Sequence, residues 1–392
     1  MYVSPAIRFW ILVGIVAISG FSQGMLLPLI AIILEQDGVS SFMNGLHATG
    51  IYIGILIASP LMEAPLRRFG YKPLIIIGGM TVGLSLLAFP LWQSFWFWFV
   101  LRLLIGVGDQ MLHLSTQTWI TSFSDENRRG RNIAIYGLFF SLGFAIGPAM
   151  SSLIDISPSL PFFVSGILTF ITWGFVFLLR NEFPEQGDTG SASFLGTIRR
   201  FRNVWKYAWV AFLPPLSYGF LEASLHGNFP IYAIRNGIDS SAIAYILPAF
   251  SIGAIVFQLP LGMISDKIGR HKTLLAALFV GAISFIFAGM AGNSTVGLIA
   301  AFFIAGMATG STFSLGISYM TDLLPKQLLP AGNIMCGIAF SLGSIGGPVL
   351  GGLIIEFLTD GFFYFITFLL LTICLCLVAF SFQKKRVYQA SK

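Results

Sequence analysis

Runs of about twenty predominantly apolar residues recur from one end of this 392-residue chain to the other, and that recurrence leaves few folds open. A helix rises about 1.5 Å per residue, so such a run covers the roughly 30 Å of hydrocarbon in a bilayer. Twelve runs are read, near residues 8–34, 44–66, 73–92, 95–121, 132–154, 160–180, 208–234, 241–264, 273–292, 296–321, 331–357 and 361–382. In lipid every backbone N–H and C=O must be paired inside the protein, which permits helices or closed barrels. The runs lack the period-two alternation of barrel strands, so an all-α membrane protein is predicted. Charged residues make up only 10% of the chain, against roughly a quarter in soluble domains. The first run is far longer than a secretory signal core and has no convincing cleavage site, so it is expected to be a retained span.

One segment is duplicated. GLFFSLGFAIGPAMSSLI at 137–154 returns as GIAFSLGSIGGPVLGGLI at 337–354, with half of the eighteen aligned positions identical. Gly143, Gly147 and Pro148 thereby correspond to Gly343, Gly347 and Pro348. Small residues let helices approach closely in hydrocarbon, and proline bends them. The expected architecture is twelve transmembrane helices in two pseudo-symmetric six-helix bundles. Residues 1–180 form the N-terminal bundle, 181–207 a cytoplasmic linker, and 208–392 the C-terminal bundle with a short basic tail. In the linker the polar EFPEQGDTGSAS gives way to FLGTIRRFRNVWKYAW, which sets Leu195, Ile198, Phe201 and Trp205 near one helical face. That pattern reads as a basic amphipathic helix on the inner leaflet, as topology anchor or regulator.

The net charge of +6 follows topology. All Lys and Arg residues except Arg102 and Arg235 fall in the N-terminal stub, the even-numbered loops or the tail. By the positive-inside rule both termini are cytoplasmic, and an even number of spans agrees. Nucleic-acid binding is therefore a poor explanation of the basic balance. Trp92, Trp96 and Trp98 crowd the outer turn between spans three and four, where an aromatic belt is expected. Cys336, Cys374 and Cys376 fit neither a metal-site spacing nor a disulfide framework, and no metal or cofactor is expected.

Between spans eight and nine lies PLGMISDKIGRHK, with Asp266, Gly269, Arg270 and Lys272. A carboxylate at a helix end beside basic residues in a glycine turn can make charge-assisted contacts that open and re-form. This segment is similar to the inner-loop signature G-x-x-x-D-[RK]-x-G-R-[RK] of the major facilitator superfamily, and the chain resembles that family over its whole length. The appearance is nearest to bacterial drug or metabolite:proton antiporters. The resemblance implies the major facilitator fold, alternating access, and a loop that latches the cytoplasmic side. The first-half loop EAPLRRFGYKP keeps Gly70 and Lys72 but has Arg67 where the aspartate should fall. Glu63 offers a replacement carboxylate to Arg67 by i,i+4 pairing, the alternative being a snorkelling surface pair. In span four RLLIGVG resembles the family's R-x-x-x-G-x-G element through Arg102, Gly106 and Gly108. The G-x-x-x-G-P of Gly143, Gly147 and Pro148 resembles the motif associated with exporters and antiporters, although Ser151 and Ser152 replace its final glycines.

Span four also places Arg102, Asp109 and His113 on one face, with Thr116 and Gln117 just beyond. An ionisable residue at mid-membrane costs about 2.5 to 3.5 kcal/mol on insertion scales, so these side chains should turn toward protein or water. Asp109 is the first candidate proton carrier; a permanent ion pair with Arg102 is the alternative. Span seven repeats the pattern with Tyr218, Glu222 and His226 at i,i+4 spacing. Glu222 is read as a proton carrier, a cation binder or an anchor for His226, against a purely structural role. The proton-coupling set is Asp109, Glu222, His113 and His226. The substrate-binding set is Arg102, Gln23, Tyr52, Tyr218 and Gln258. Gate and hinge roles fall to Asp266, Gly269, Arg270, Gly70, Lys72, Gly143, Gly147, Pro148, Gly347 and Pro348.

The leading reading is a secondary transporter of the cell membrane, exporting an amphipathic small molecule or lipid in exchange for protons. Proton symport or facilitated uptake of a small anionic nutrient, bound by Arg102, is the alternative. Neither hydrolase and metalloprotease motifs nor a phosphate-cradling G-x-x-x-x-G-K-[ST] occurs, so neither an enzyme nor an ATP-driven pump is expected. The expected partners are the substrate, protons and the bilayer, with the chain acting as a monomer.

Overall fold

The computed structural model describes residues 4–124, 126–184, 194–325 and 328–390; the side chains at 63, 126–130, 194–200, 330 and 382–390 fall outside that description. Glu63 and the first apolar positions of the linker are thus not among the described side chains. Spans one to six are Pro5–Gln36, Ser41–Leu61, Tyr71–Leu91, Phe95–Phe123, Arg131–Asp155 and Leu160–Leu178. Spans eight to twelve are Ser240–Ile268, Arg270–Met290, Thr295–Leu323, Ala331–Phe357 and Gly361–Ser381. These eleven are long and apolar enough to cross a membrane. Span seven, Leu213–Arg235, is a helix of 23 residues, or about 35 Å. Its buried polar residues, His226 and Asn228 among them, dilute its hydropathy. The linker backbone is helical over Phe194–Ala208, and Trp205 at its end stacks on Phe212.

Two compact units divide the chain. One lies within residues 1–39, 46–187 and 243–248, the other within 40–45, 188–242 and 249–392. In each unit the duplicated segment forms a close helix seam. A Cβ added to Gly143 would sit 2.0 Å from the carbonyl oxygen of Ala17 on span one, and one on Gly343 would sit 2.1 Å from that of Leu216 on span seven. Span one answers with Gly20 and Gly24 against Phe140 and Phe144, and span seven with Gly219 against Phe340. A second matched pair of seams uses Gly54 with Gly106 in the first unit and Gly253 with Gly306 in the second. Lipid provides no hydrophobic drive between helices, so such backbone-to-backbone packing is a main source of association.

The two copies differ after the proline. Span five tightens to 3-10 geometry over Gly147–Asp155, while span eleven stays α-helical through Pro348. Ser151 and Ser152, which replace glycines, donate to the carbonyls of Pro148 and Ala149, three residues back. Across the other seam, Asn228 Nδ2 donates to the Pro348 carbonyl at 3.0 Å and Ser224 to that of Gly347 at 3.2 Å.

The turns before spans three and nine both need glycine, with φ +84° at Gly70 and +95° at Gly269. The aromatic belt is smaller than expected. Trp92 and Trp96 are exposed, but Trp98 is buried with its indole donating to the Phe89 carbonyl at 3.0 Å. Two residues beyond Trp96, it points to the opposite side of the helix, against Phe89 and Phe162.

Candidate functional site

Span four carries its polar stripe inward: Arg102, Asp109 and Thr116 are fully buried, while Gln117 is exposed. Ser19 Oγ of span one donates to Asp109 Oδ1 at 2.7 Å. Gln23, one turn along span one, brings its Nε2 to 3.5 Å from the same hydroxyl. His113 bridges onward, with Nε2 3.4 Å from Ser19 Oγ and Nδ1 2.9 Å from the Tyr136 hydroxyl of span five. Tyr136 in turn lies 3.0 Å from the Thr116 hydroxyl.

One proton assignment serves the chain: Tyr136 donates to Nδ1, Nε2–H donates to Ser19, and Ser19 donates to Asp109. The reversed assignment, with protonated Asp109 donating to Ser19, Ser19 to Nε2, Nδ1–H to Tyr136 and Tyr136 to Thr116, fills the same contacts without moving a side chain and holds one more proton, which comes from outside the line. Asp109 Oδ2 is buried with no hydrogen-bond partner. Burying an ionised carboxylate that way costs several kcal/mol, a penalty that a bound proton removes. Tyr136→Phe keeps the ring and deletes the hydroxyl between His113 and Thr116. A loss of about 1 kcal/mol in stability is expected, read by thermal unfolding in detergent.

Arg102 and Asp109 do not pair. Arg102 Nη1 meets His47 Nδ1 at 3.0 Å, and Nη2 donates to the Leu26 and Leu27 carbonyls at 2.9 and 3.4 Å. His47 Nε2 lies 3.1 Å from the Phe95 carbonyl. Donating Nε2–H there leaves Nδ1 as the acceptor that Arg102 needs. The guanidinium is therefore enclosed by spans one, two and four, and among the described residues none of the ion pairs includes it. Tyr52 is also buried, whereas Gln258 is exposed.

In the second unit, Glu222 is partly exposed and Tyr218 donates to its Oε1 at 3.5 Å. His226, almost fully buried, places Nδ1 2.8 Å from the Glu222 backbone carbonyl. The i,i+4 spacing thus brings Tyr218 to the carboxylate and His226 to the backbone of the same residue.

Further charges gather at the turns before spans three and nine. Arg270 is shared between Asp266, at 3.6 Å, and Asp322 of span ten, and it also donates to the Ser318 carbonyl at 3.4 Å. In the first unit, where the loop lacks the aspartate, a carboxylate arrives from beyond span six. Glu182 pairs with Arg8, accepts from Trp119 Nε1 at 2.7 Å, and accepts at its backbone carbonyl from Tyr71 N–H at 2.9 Å. Asn181 accepts from Lys72 N–H at 3.1 Å, and Lys72 Nζ donates to the Leu179 and Phe177 carbonyls at 2.7 and 3.1 Å. A Cβ on Gly70 would lie 2.6 Å from Asn181 Oδ1, so glycine is required there twice over.

Sequence reasoning missed His47, Tyr136, Glu182 and Asp322. His47 carried a usable signal, a polar side chain inside an apolar span. Asp322 and Glu182 stand at span ends that have basic residues as neighbours. Tyr136 had none, because tyrosines are common in such helices.

Apolar helices with a buried acid on span four and another acid on span seven define an all-helical, multi-pass membrane protein. The sequence profile of the Major Facilitator Superfamily matches residues 12–234 and 216–391, and the chain belongs to that family of transporters. It is 58% identical over 372 residues to the uncharacterized MFS-type transporter YfkF of Bacillus subtilis (strain 168), covering 95% of each chain. It is 22% identical to the MFS-type transporter YcaD of Escherichia fergusonii over 338 residues, 86% of each. Among solved structures, the nucleoside transporter NupG has a TM-score of 0.80 at 13% identity, covering 95% of this chain and 98% of that one. A bacterial homologue of the human lysosomal transporter Spinster has a TM-score of 0.78 at 14% identity, covering 100% and 99%.

Proposed function

We propose that this transporter exports an amphipathic small molecule or lipid across the cell membrane in exchange for protons, by alternating access, with both termini on the cytoplasmic side. The observation that carries this reading is Asp109: it is wholly buried, has one unpartnered oxygen, and stands at the end of the Ser19–His113–Tyr136 line. Glu222 is the second proton-coupling acid, with Tyr218 as its hydrogen-bond donor. Arg102 is enclosed by backbone carbonyls and His47, which weakens the uptake of an anionic nutrient as an alternative.

One proton exchanged down a one-unit pH difference supplies about 1.4 kcal/mol, which sustains up to about tenfold substrate accumulation. In proteoliposomes with an acidic lumen, accumulation of that order is expected for a transported compound. It should collapse on adding a proton ionophore. Uphill accumulation that survives the ionophore would defeat the coupling.

A further inference from the structure

At the end of the first unit that carries Arg8, an apolar groove stands next to a basic pocket. The groove, about 480 Å³, runs between spans one and six and is lined by Ile7, Trp10, Gly14, Thr172, Phe175 and Leu178 among others. Ile7, Trp10, Phe175 and Leu178 each expose about half of their surface. Gly14 helps keep the groove open, since a Cβ there would meet only Thr172 Cγ2 within 4 Å, at 3.5 Å. The 3-10 turn Phe175–Leu178 then gives way to extended backbone at Leu179, which separates the exposed Leu178 from the buried Leu179. Leu178 lines the groove, and Leu179 lines a pocket of about 590 Å³ together with Lys72, Arg180, Asn181 and Glu182.

The charge in this pocket is one-sided. Glu182 is paired with Arg8 and accepts from Trp119 Nε1 at 2.7 Å, so its negative charge is met within the protein. Lys72 Nζ gives two of its three N–H groups to the Leu179 and Phe177 carbonyls, at 2.7 and 3.1 Å. That holds the ammonium beside the end of the groove, and among the described residues none of the ion pairs neutralises it. Arg180 is exposed on the pocket wall. Arg67 and Arg68, both exposed, lie in the short helix that ends at Gly70, which itself touches Asn181. Positive charge next to exposed hydrocarbon fits an amphiphile with an anionic head. An ammonium head would need a carboxylate, and Glu182 is already engaged.

We infer that the groove and the pocket together bind one anionic phospholipid of the surrounding bilayer, its phosphodiester at Lys72 and Arg180 and an acyl chain between spans one and six. The lipid is a bound partner at the membrane-facing surface and not the cargo. The inference requires only that the chain is embedded in lipid, whatever the direction or coupling of transport.

The test is native mass spectrometry of the purified protein in detergent, titrated in separate samples with three compounds. These are dioleoylphosphatidylglycerol, dioleoylphosphatidylcholine with the same chains, and glycerol 3-phosphate, which has the anion without the chains. One phosphatidylglycerol should bind roughly thirtyfold more tightly than phosphatidylcholine, two basic side chains contributing about fivefold each. Glycerol 3-phosphate should not be retained. Arg180→Gln should lower the phosphatidylglycerol affinity about fivefold. Gly14→Leu projects into the groove, and excluding two methylenes of the acyl chain should weaken binding about tenfold. Equal retention of the two phospholipids would mark unspecific annular lipid and overturn the site. So would glycerol 3-phosphate bound as tightly as phosphatidylglycerol, the mark of a small-anion site, or an affinity unchanged in either variant. The three compounds are compared on the unaltered protein, so that outcome does not depend on how well a variant folds.

Discussion

Asp109→Asn should leave a folded protein that no longer accumulates substrate against a gradient. Asparagine keeps an oxygen for the Ser19 hydroxyl, which donates to Oδ1 at 2.7 Å. Its amide nitrogen falls where Oδ2 has no partner, so a cost of about 1–3 kcal/mol in stability is expected from a buried donor left unmade. The larger effect is functional. An amide neither gains nor loses a proton, so the pH difference has nothing to act on at this position. Accumulation should fall from up to about tenfold per pH unit to simple equilibration, measured in proteoliposomes with an acidic lumen. Downhill movement is measured in the same vesicles, and its survival would separate lost coupling from lost protein. Full uphill accumulation by the variant would remove Asp109 from the mechanism.

Gly343→Val should largely prevent folding, while Gly337→Ala in the same duplicated segment should be harmless. A Cβ at 343 would lie 2.1 Å from the Leu216 carbonyl oxygen, with the Phe220 nitrogen at 2.8 Å, so spans seven and eleven would have to part. Overpacking against side chains costs about 1–3 kcal/mol, and more is expected where the obstacle is backbone. At Gly337 a Cβ meets nothing within 4 Å, and alanine there should gain about 0.5–1 kcal/mol by stiffening the helix. Monodispersity on size exclusion and thermal unfolding in detergent read both outcomes. Equal tolerance at the two positions would contradict the seam.

The repeat thus records two kinds of glycine. Gly143, Gly147, Gly343 and Gly347 are held by contact with a facing backbone, whereas Gly137 and Gly337, equally identical between the copies, touch nothing. The spans and the inward stripe of span four were legible, because both depend on periodicity within one helix. The partners of that stripe were less so. Ser19 and Tyr136 reach His113 from other spans, and the register between helices is set by where glycines allow approach. Arg102 and Asp109 share a face of one helix, which left an ion pair as the alternative to proton carriage. Tertiary packing instead sends the guanidinium to span one carbonyls and His47, and the carboxylate to Ser19. Trp98 left the expected belt for a similar reason, since position along the sequence does not fix the side of the helix.

Infrared difference spectroscopy on the reconstituted protein, between acidic and neutral buffer, tests most directly whether Asp109 exchanges a proton. The wild type should show a carboxylic acid carbonyl band that disappears reversibly at neutral pH, with a component missing in Asp109→Asn. A spectrum unchanged by that substitution would mean that the buried carboxyl keeps one protonation state throughout, and the proposed proton carrier would be wrong.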